Sequence, residues 1–203
     1  IVHWAMDENS GDIITDSTPN DISGTLSGTT WTKDSLTGLS ALAFNGTGSH
    51  VIVQDNYGLF NFTDQFSISA WIKYRAGEYS AAIAGKNFGT YQFYVDRLKH
   101  RLILQVNSQT VVIGQPNSLS PDVWHHVVCT YDTATGSKTY VNGKLDMINA
   151  TFKQRLETSS LPLKLGSTGY VPTDFFSGII DDVRIYDKAL GEKDVEDLYR
   201  GSI

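Results

Sequence analysis

The run Phe66-Ser67-Ile68-Ser69-Ala70-Trp71-Ile72 decides the fold class. Its Phe66, Ile68, Ala70 and Ile72 recur at every second position, the period of a β-strand that buries one face. Short β-branched or aromatic runs repeat outward from it, at 41–45, 50–54, 91–95, 102–106, 110–113, 124–131, 139–141, 163–165 and 179–186. Turn residues separate them, among them Gly46, Gly58, Gly114, Pro121, Gly136 and Gly166. Asn142-Gly143, directly after Thr139-Tyr140-Val141, predicts a hairpin, because a type I′ turn needs two residues that tolerate positive φ. Many short strands about ten residues apart point to an antiparallel sandwich or barrel. One stretch reads as a helix, 192–199, where Val195, Leu198 and Tyr199 stand at i, i+3 and i+4 and Gly201 serves as a cap. The opening, from Asp7 to Trp31, is loop-rich before it returns to strand. With no repeat, low-complexity linker or boundary, the chain reads as a single domain over 1–203.

Composition agrees. The 203 residues are 40% hydrophobic and 19% charged, with a net charge of -6, which excludes a disordered chain. The acidic balance argues against nucleic acid as a partner, which rewards clustered Lys and Arg. The single cysteine, Cys129, excludes an intrachain disulfide framework and a cysteine-based zinc site. It lies mid-strand and reads as a small buried hydrophobe. No apolar run is long enough for a membrane span. The chain opens at Ile1 with neither Met nor a signal region, as a mature protein or an excised module would.

Four ordered segments carry a family resemblance: His3-Trp4-Ala5-Met6-Asp7-Glu8-Asn9-Ser10-Gly11; Asp16-Ser17-Thr18-Pro19-Asn20 leading to Gly24-Thr25-Leu26; Trp124-His125-His126-Val127-Val128 with Thr130-Tyr131-Asp132; and Gly178-Ile179-Ile180-Asp181-Asp182-Val183-Arg184-Ile185-Tyr186 followed by Ala189-Leu190. The set resembles the laminin-G-like jelly rolls of the concanavalin A-like lectin/glucanase superfamily, and Tyr140-Val141-Asn142-Gly143-Lys144 is similar to that family's hairpin. The resemblance implies an all-β fold, a jelly roll of two antiparallel sheets with a concave and a convex face, ending in the short C-terminal helix. It also implies a mostly non-catalytic, secreted or cell-surface module, part of a larger protein, that binds a glycan, a cell-surface polysaccharide or a protein. A structural calcium ion is frequent in the family.

The candidate sites follow from these two readings. In a regular strand Asp181 shares the face of Ile179, Val183 and Ile185, and an acid there needs a partner or a metal. Jelly rolls of this kind place the first and last strands side by side, so a calcium site is expected from Asp7, Asn20, Asp181 and Asp182; the alternative is a hydrogen-bonded Asp181 and an Asp182–Arg184 neighbourhood without metal. The four tryptophans occupy positions where the family has core or near-core residues. Glycan recognition is therefore assigned to loop residues: Tyr57, Tyr79, Tyr91, Tyr170, Asp174 and Phe175, with Phe60 and Phe88 as further rings. Glu192-Lys193-Asp194-Val195-Glu196 spells a β-glucanase motif, but that chemistry needs carboxylates converging from one strand face, and this run lies in the helix. A hydrolase would instead need two acids on the concave face, with Asp96 and Asp132 as strand-end possibilities. His125 and His126 alternate faces and cannot converge on one ion. Two functions stay open: a lectin-like carbohydrate-binding module, and a structural or adhesion domain of a cell surface or virion.

Overall fold

A computed structural model describes residues 1–87, 89–168 and 174–201. In chain order the strands are β1 (Val2–Trp4), β2 (Ile13–Ile14), β3 (Gly24–Ser27), β4 (Thr30–Thr32), β5 (Ala41–Asn45), β6 (His50–Val53), β7 (Gln65–Tyr74) and β8 (Ala81–Gly85). They continue with β9 (Tyr91–Asp96), β10 (Arg101–Val106), β11 (Gln109–Ile113), β12 (His125–Asp132), β13 (Gly136–Val141), β14 (Lys144–Asn149), β15 (Leu163–Leu165) and β16 (Ser177–Tyr186), before the helix α1 (Glu192–Tyr199). They form two antiparallel sheets. The first runs β14-β13-β12-β7-β16-β5-β4, and the second β11-β10-β9-β8-β15-β6-β3-β2. β1 pairs with the second half of β16, with Val2 opposite Ile185 and Trp4 opposite Val183, so the first and last strands are neighbours as the resemblance implied.

Strand β7 is the central rail of the first sheet. Phe66, Ile68, Ala70, Ile72 and Tyr74 point into the sandwich and are buried in one core with Phe93, Leu104, Val127, Ile180 and Val183. The alternate residues Ser67, Ser69, Trp71 and Lys73 point to the outer face of that sheet. There α1 packs, through Val195 and Leu198, on Val128 and Tyr140. The segment before α1 is tied down by Ser67, whose hydroxyl donates to Lys188 O at 2.7 Å and accepts from Leu190 N at 2.9 Å.

The turn chemistry read from sequence is present. Asn142 and Gly143 have φ of 51° and 77°, the two left-handed residues of a type I′ hairpin between β13 and β14. Asp194 Oδ2 accepts from Gly191 N at 3.1 Å at the start of α1, and Gly201, at φ 68°, ends it. Strands β1, β2, β3, β4 and β8 are additional to the runs picked out from sequence; β8 is buried throughout but Ala-rich, a composition that β-propensity does not favour.

Candidate functional site

The site begins with a flaw in β16. Opposite β7, Asp181 pairs with Trp71 and Arg184 with Ser69, so two residues of β16 face the single Ala70. This is a β-bulge, and Asp182 carries it with a left-handed φ of 45°, a conformation that Asp tolerates better than most residues. The bulge overturns the regular-strand expectation for Asp181. Ile180, Val183 and Ile185 enter the core, whereas Asp181, Asp182 and Arg184 all lie on the outer side.

Asp181 is fully buried there beneath the loop between β4 and β5. Its Oδ2 accepts from Leu36 N at 3.3 Å, Thr37 N at 3.3 Å and Thr37 Oγ1 at 3.0 Å, and its Oδ1 accepts from Asp182 N at 2.9 Å. Burial pushes its carboxyl up to about 6, and these donors hold it from rising further. Asp182 behaves oppositely. Burial acts to raise it, but the His3 hydrogen bond and the Arg184 charge prevail and leave it below the usual carboxylate range. His3 Nε2 lies 2.5 Å from Asp182 Oδ1, and Arg184 Nε donates to the same oxygen at 3.3 Å.

These groups floor a groove of about 650 Å³ on the outer face of the first sheet. His3, Ala5, Trp71, Asp182 and Arg184 line its floor; Asp7, Leu36 and Thr37 form one side, and Leu198 to Gly201 the other. Its size falls in the range of small-ligand sites. Tyr199, 40% exposed, brings its ring 5.6 Å from that of Trp71 and 6.0 Å from that of His126. His126 lies under both rings, with Nε2 2.9 Å from Ser69 Oγ, and burial brings its imidazole down to about 4.

The four expected calcium ligands are not gathered. Asp7 and Asp182 share the groove, but Asp181 is sealed beneath the loop, and Asn20 donates to Ile1 O at 2.6 Å outside the groove lining. Nor does the chemistry fit a cation. Asp7 Oδ1 accepts from Leu39 N and Ser40 N, Asp181 is surrounded by donors, and Asp182 faces an imidazole and a guanidinium. Calcium wants six to eight oxygens with free lone pairs. Among the described residues no group of three or more His, Cys, Asp or Glu could hold a metal ion.

The loop aromatics divide. Tyr57 and Tyr79 are exposed, at 89% and 56%. Tyr91 is corrected to a core residue: it opens β9 on the inward face, its ring lies 4.9 Å from that of Phe66, and its hydroxyl donates to Phe60 O at 3.1 Å. Phe60 is likewise buried. Asp174 is corrected from a ligand contact to an internal brace, for it is buried and accepts from Thr168 N at 3.2 Å, from the Thr168 hydroxyl and from Ser167 Oγ at 3.3 Å. Phe175 is half-buried, with its ring 6.4 Å from His50. Tyr170 and Phe88 lie outside the described residues. Among the described residues no ring contact joins Tyr57, Tyr79 and Phe175 into one surface. Asp96 is paired with Arg101 at 3.0 Å, and Asp132 Oδ1 caps the turn after β12 through Thr135 N at 3.3 Å. The sequence does not mark His3, Trp71 and Tyr199 as groove residues; the Asp182–Arg184 neighbourhood it does offer is present, at 3.3 Å. One signal was legible: Trp71 falls on the non-apolar parity of β7.

The fold has known counterparts. The receptor binding domain of botulinum neurotoxin C/D mosaic serotype superposes with a TM-score of 0.75 at 18% identity, over 99% of this chain and 51% of that one. The botulinum neurotoxin serotype D ligand binding domain, solved in complex with N-acetylneuraminic acid, gives 0.75 at 16% identity, over 99% and 50%. Domain 4 of AbnA, a GH43 extracellular arabinanase from Geobacillus stearothermophilus, solved with arabinotriose, gives 0.70 at 22% identity, over 98% and 97%. The chain thus spans about half the length of the toxin domains and nearly all of the arabinanase domain. No curated protein sequence matches. The family model Laminin_G_3, of the concanavalin A-like lectin/glucanases superfamily, matches residues 45–196, three quarters of the chain. Two packed antiparallel sheets, neighbouring first and last strands and that match together make this chain a member of the laminin-G-like family of the concanavalin A-like lectin/glucanases superfamily.

Proposed function

We propose that the protein is a non-catalytic, carbohydrate-binding module of an extracellular protein, and that its glycan lies in the groove between the 36–40 loop and the end of α1. The observation that carries this reading is the pairing of two kinds of group in one groove: the Tyr199 and Trp71 rings beside the Asp182–Arg184–His3 cluster. A sugar ring offers an apolar C–H face and a rim of hydroxyls. The partly exposed Tyr199 ring suits the first. An ionised carboxylate and a guanidinium that already fix each other's position suit the second. Binding is shallow and reversible, since one exposed ring stacks and water competes for each hydroxyl. The arabinotriose bound to the arabinanase domain and the sialic acid bound to the toxin domain support a glycan as the ligand class.

A non-catalytic role fits the carboxylates. Asp181 and Asp182 have affinities for protons pushed apart, as an acid–base pair would. Yet Asp181 is fully buried, its Oδ2 is taken by loop donors and its Oδ1 by Asp182 N, so it has no path to a substrate. Calcium has no part in this reading at the first and last strands, where inward-turned donors support a metal-free groove. A second reading, an adhesion domain that binds protein, draws on Leu39 and Leu36, which stand 75% and 49% exposed on the loop beside the groove. A glycan array followed by titration calorimetry separates them. Hits that weaken in Tyr199→Ala and Arg184→Ala variants support the groove, whereas silence across neutral and acidic panels overturns the lectin reading.

A further inference from the structure

Where three loops meet at the end of β8, the sandwich contains a complete ion pair that the binding groove does not use. Lys86 follows β8, and its side chain and that of Asp55 are both fully buried. Its ammonium donates to Asp55 Oδ2 at 2.6 Å, Asn61 Oδ1 at 2.7 Å and Ser159 O at 2.6 Å. The acceptors come from two other segments, the 55–61 turn that presents Tyr57 and the 156–161 approach to β15. Both side-chain acceptors are themselves braced: Asp55 Oδ1 accepts from Phe60 N at 3.3 Å, and Asn61 Oδ1 accepts from Ser159 N at 3.0 Å.

We propose that Asp55, Asn61 and the Ser159 carbonyl form a cation site whose occupant is the chain's own Lys86 ammonium, so that these loops are closed without a metal ion. The count supports it. An ammonium has three N–H donors and no acceptor, and the cage supplies three oxygens and one balancing negative charge. Calcium would need six to eight oxygens at 2.3–2.6 Å, which this cage lacks. Taking a lysine out of water is unfavourable unless every proton finds a partner and the charge is matched, and both conditions hold here. Lys86 is therefore a positioning residue for the Tyr57 turn, and its role is independent of whether the groove on the other sheet binds a glycan.

The test is nuclear magnetic resonance on the full chain labelled with ¹⁵N-lysine, joined to melting curves of Lys86→Met and of Lys86→Met with Asp55→Asn. The expected result is one ammonium signal protected from exchange at neutral pH and absent from Lys86→Met. The single variant should melt about 10 °C lower, because it strands a buried carboxylate. The double variant should recover at least half of that loss. No protected ammonium signal in the parent overturns the proposal, as does a Lys86→Met variant that melts with the parent. A double variant no more stable than the single one overturns it too. If Lys86→Met does not fold, the parent spectrum and the double variant still decide.

Discussion

Replacing Asp181 by Asn should change how the protein responds to acid. Asp181 is fully buried and its carboxyl is pushed from 3.8 up to about 6 by burial. Its folded form holds a proton more tightly than its unfolded form. It therefore favours the fold below 3.8, and that contribution is lost as pH rises through 6. At about 1.4 kcal/mol per tenfold step, the gap corresponds to about 3 kcal/mol. His126, 2% exposed, works in the other direction. Burial takes it from 6.5 down to about 4, so its contribution is present above 6.5 and is lost as pH falls through 4. That gap also corresponds to about 3 kcal/mol. Between pH 6.5 and 4 the two oppose, and the parent's melting temperature receives little net change from them. Asp181→Asn removes one arm and exposes the His126 loss, a fall of roughly 6–12 °C across that window. His126→Gln should do the reverse and flatten or raise the melting temperature on acidification. The assay is thermal unfolding by circular dichroism from pH 7 to pH 4 for the three proteins. An Asp181→Asn curve that tracks the parent's across the window would refute the reasoning.

Other outcomes follow from the same geometry. Tyr199→Ala should weaken glycan binding roughly tenfold in calorimetry, the loss of a ring worth about 1–2 kcal/mol. Gly143→Ala should destabilise by about 1–2 kcal/mol, because the residue has φ 77° and a Cβ there would sit 3.0 Å from the Tyr199 ring. Urea unfolding would read that loss, and a variant as stable as the parent would contradict it. Cys129 is fully buried and burial pushes its thiol well up, so a thiol reagent at pH 8 should label it only as fast as the chain unfolds.

How much of this was legible in the sequence depends on what carried the signal. Period-two runs such as Phe66–Ile72, the Asn142-Gly143 turn and the i, i+3 spacing of α1 are local features, and the structure has all three. The edge strands β2 and β4 were not legible: Ile13–Ile14 is only two residues and Thr30–Thr32 carries a single apolar side chain, so neither shows the apolar-polar-apolar alternation of the equally short Leu163–Leu165. The site was less legible for two physical reasons. A bulge shifts the parity of β16 partway along, so Asp181 leaves the face that counting assigns to it. Burial of an ammonium depends on which loops close over it, and nothing local to Lys86 reports that. Tyr91 could have been recognised as core from its own strand, because it shares parity with Phe93 and Val95.

The bulge also separates what the strand does for the fold from what it does for the groove. Remove Asp182 and Val183 would come to face Ala70, so the ladder with β7 would run without interruption and the hydrophobic residues on either side would keep their places. What vanishes is the acid that meets His3 and Arg184. A one-residue deletion here, which in most strands would turn every downstream side chain inside out, should act as a clean excision of that one acid. The groove's ionised carboxylate is thus an insertion written into the sheet, and it could be gained or lost in a single step while the sandwich around it stays the same.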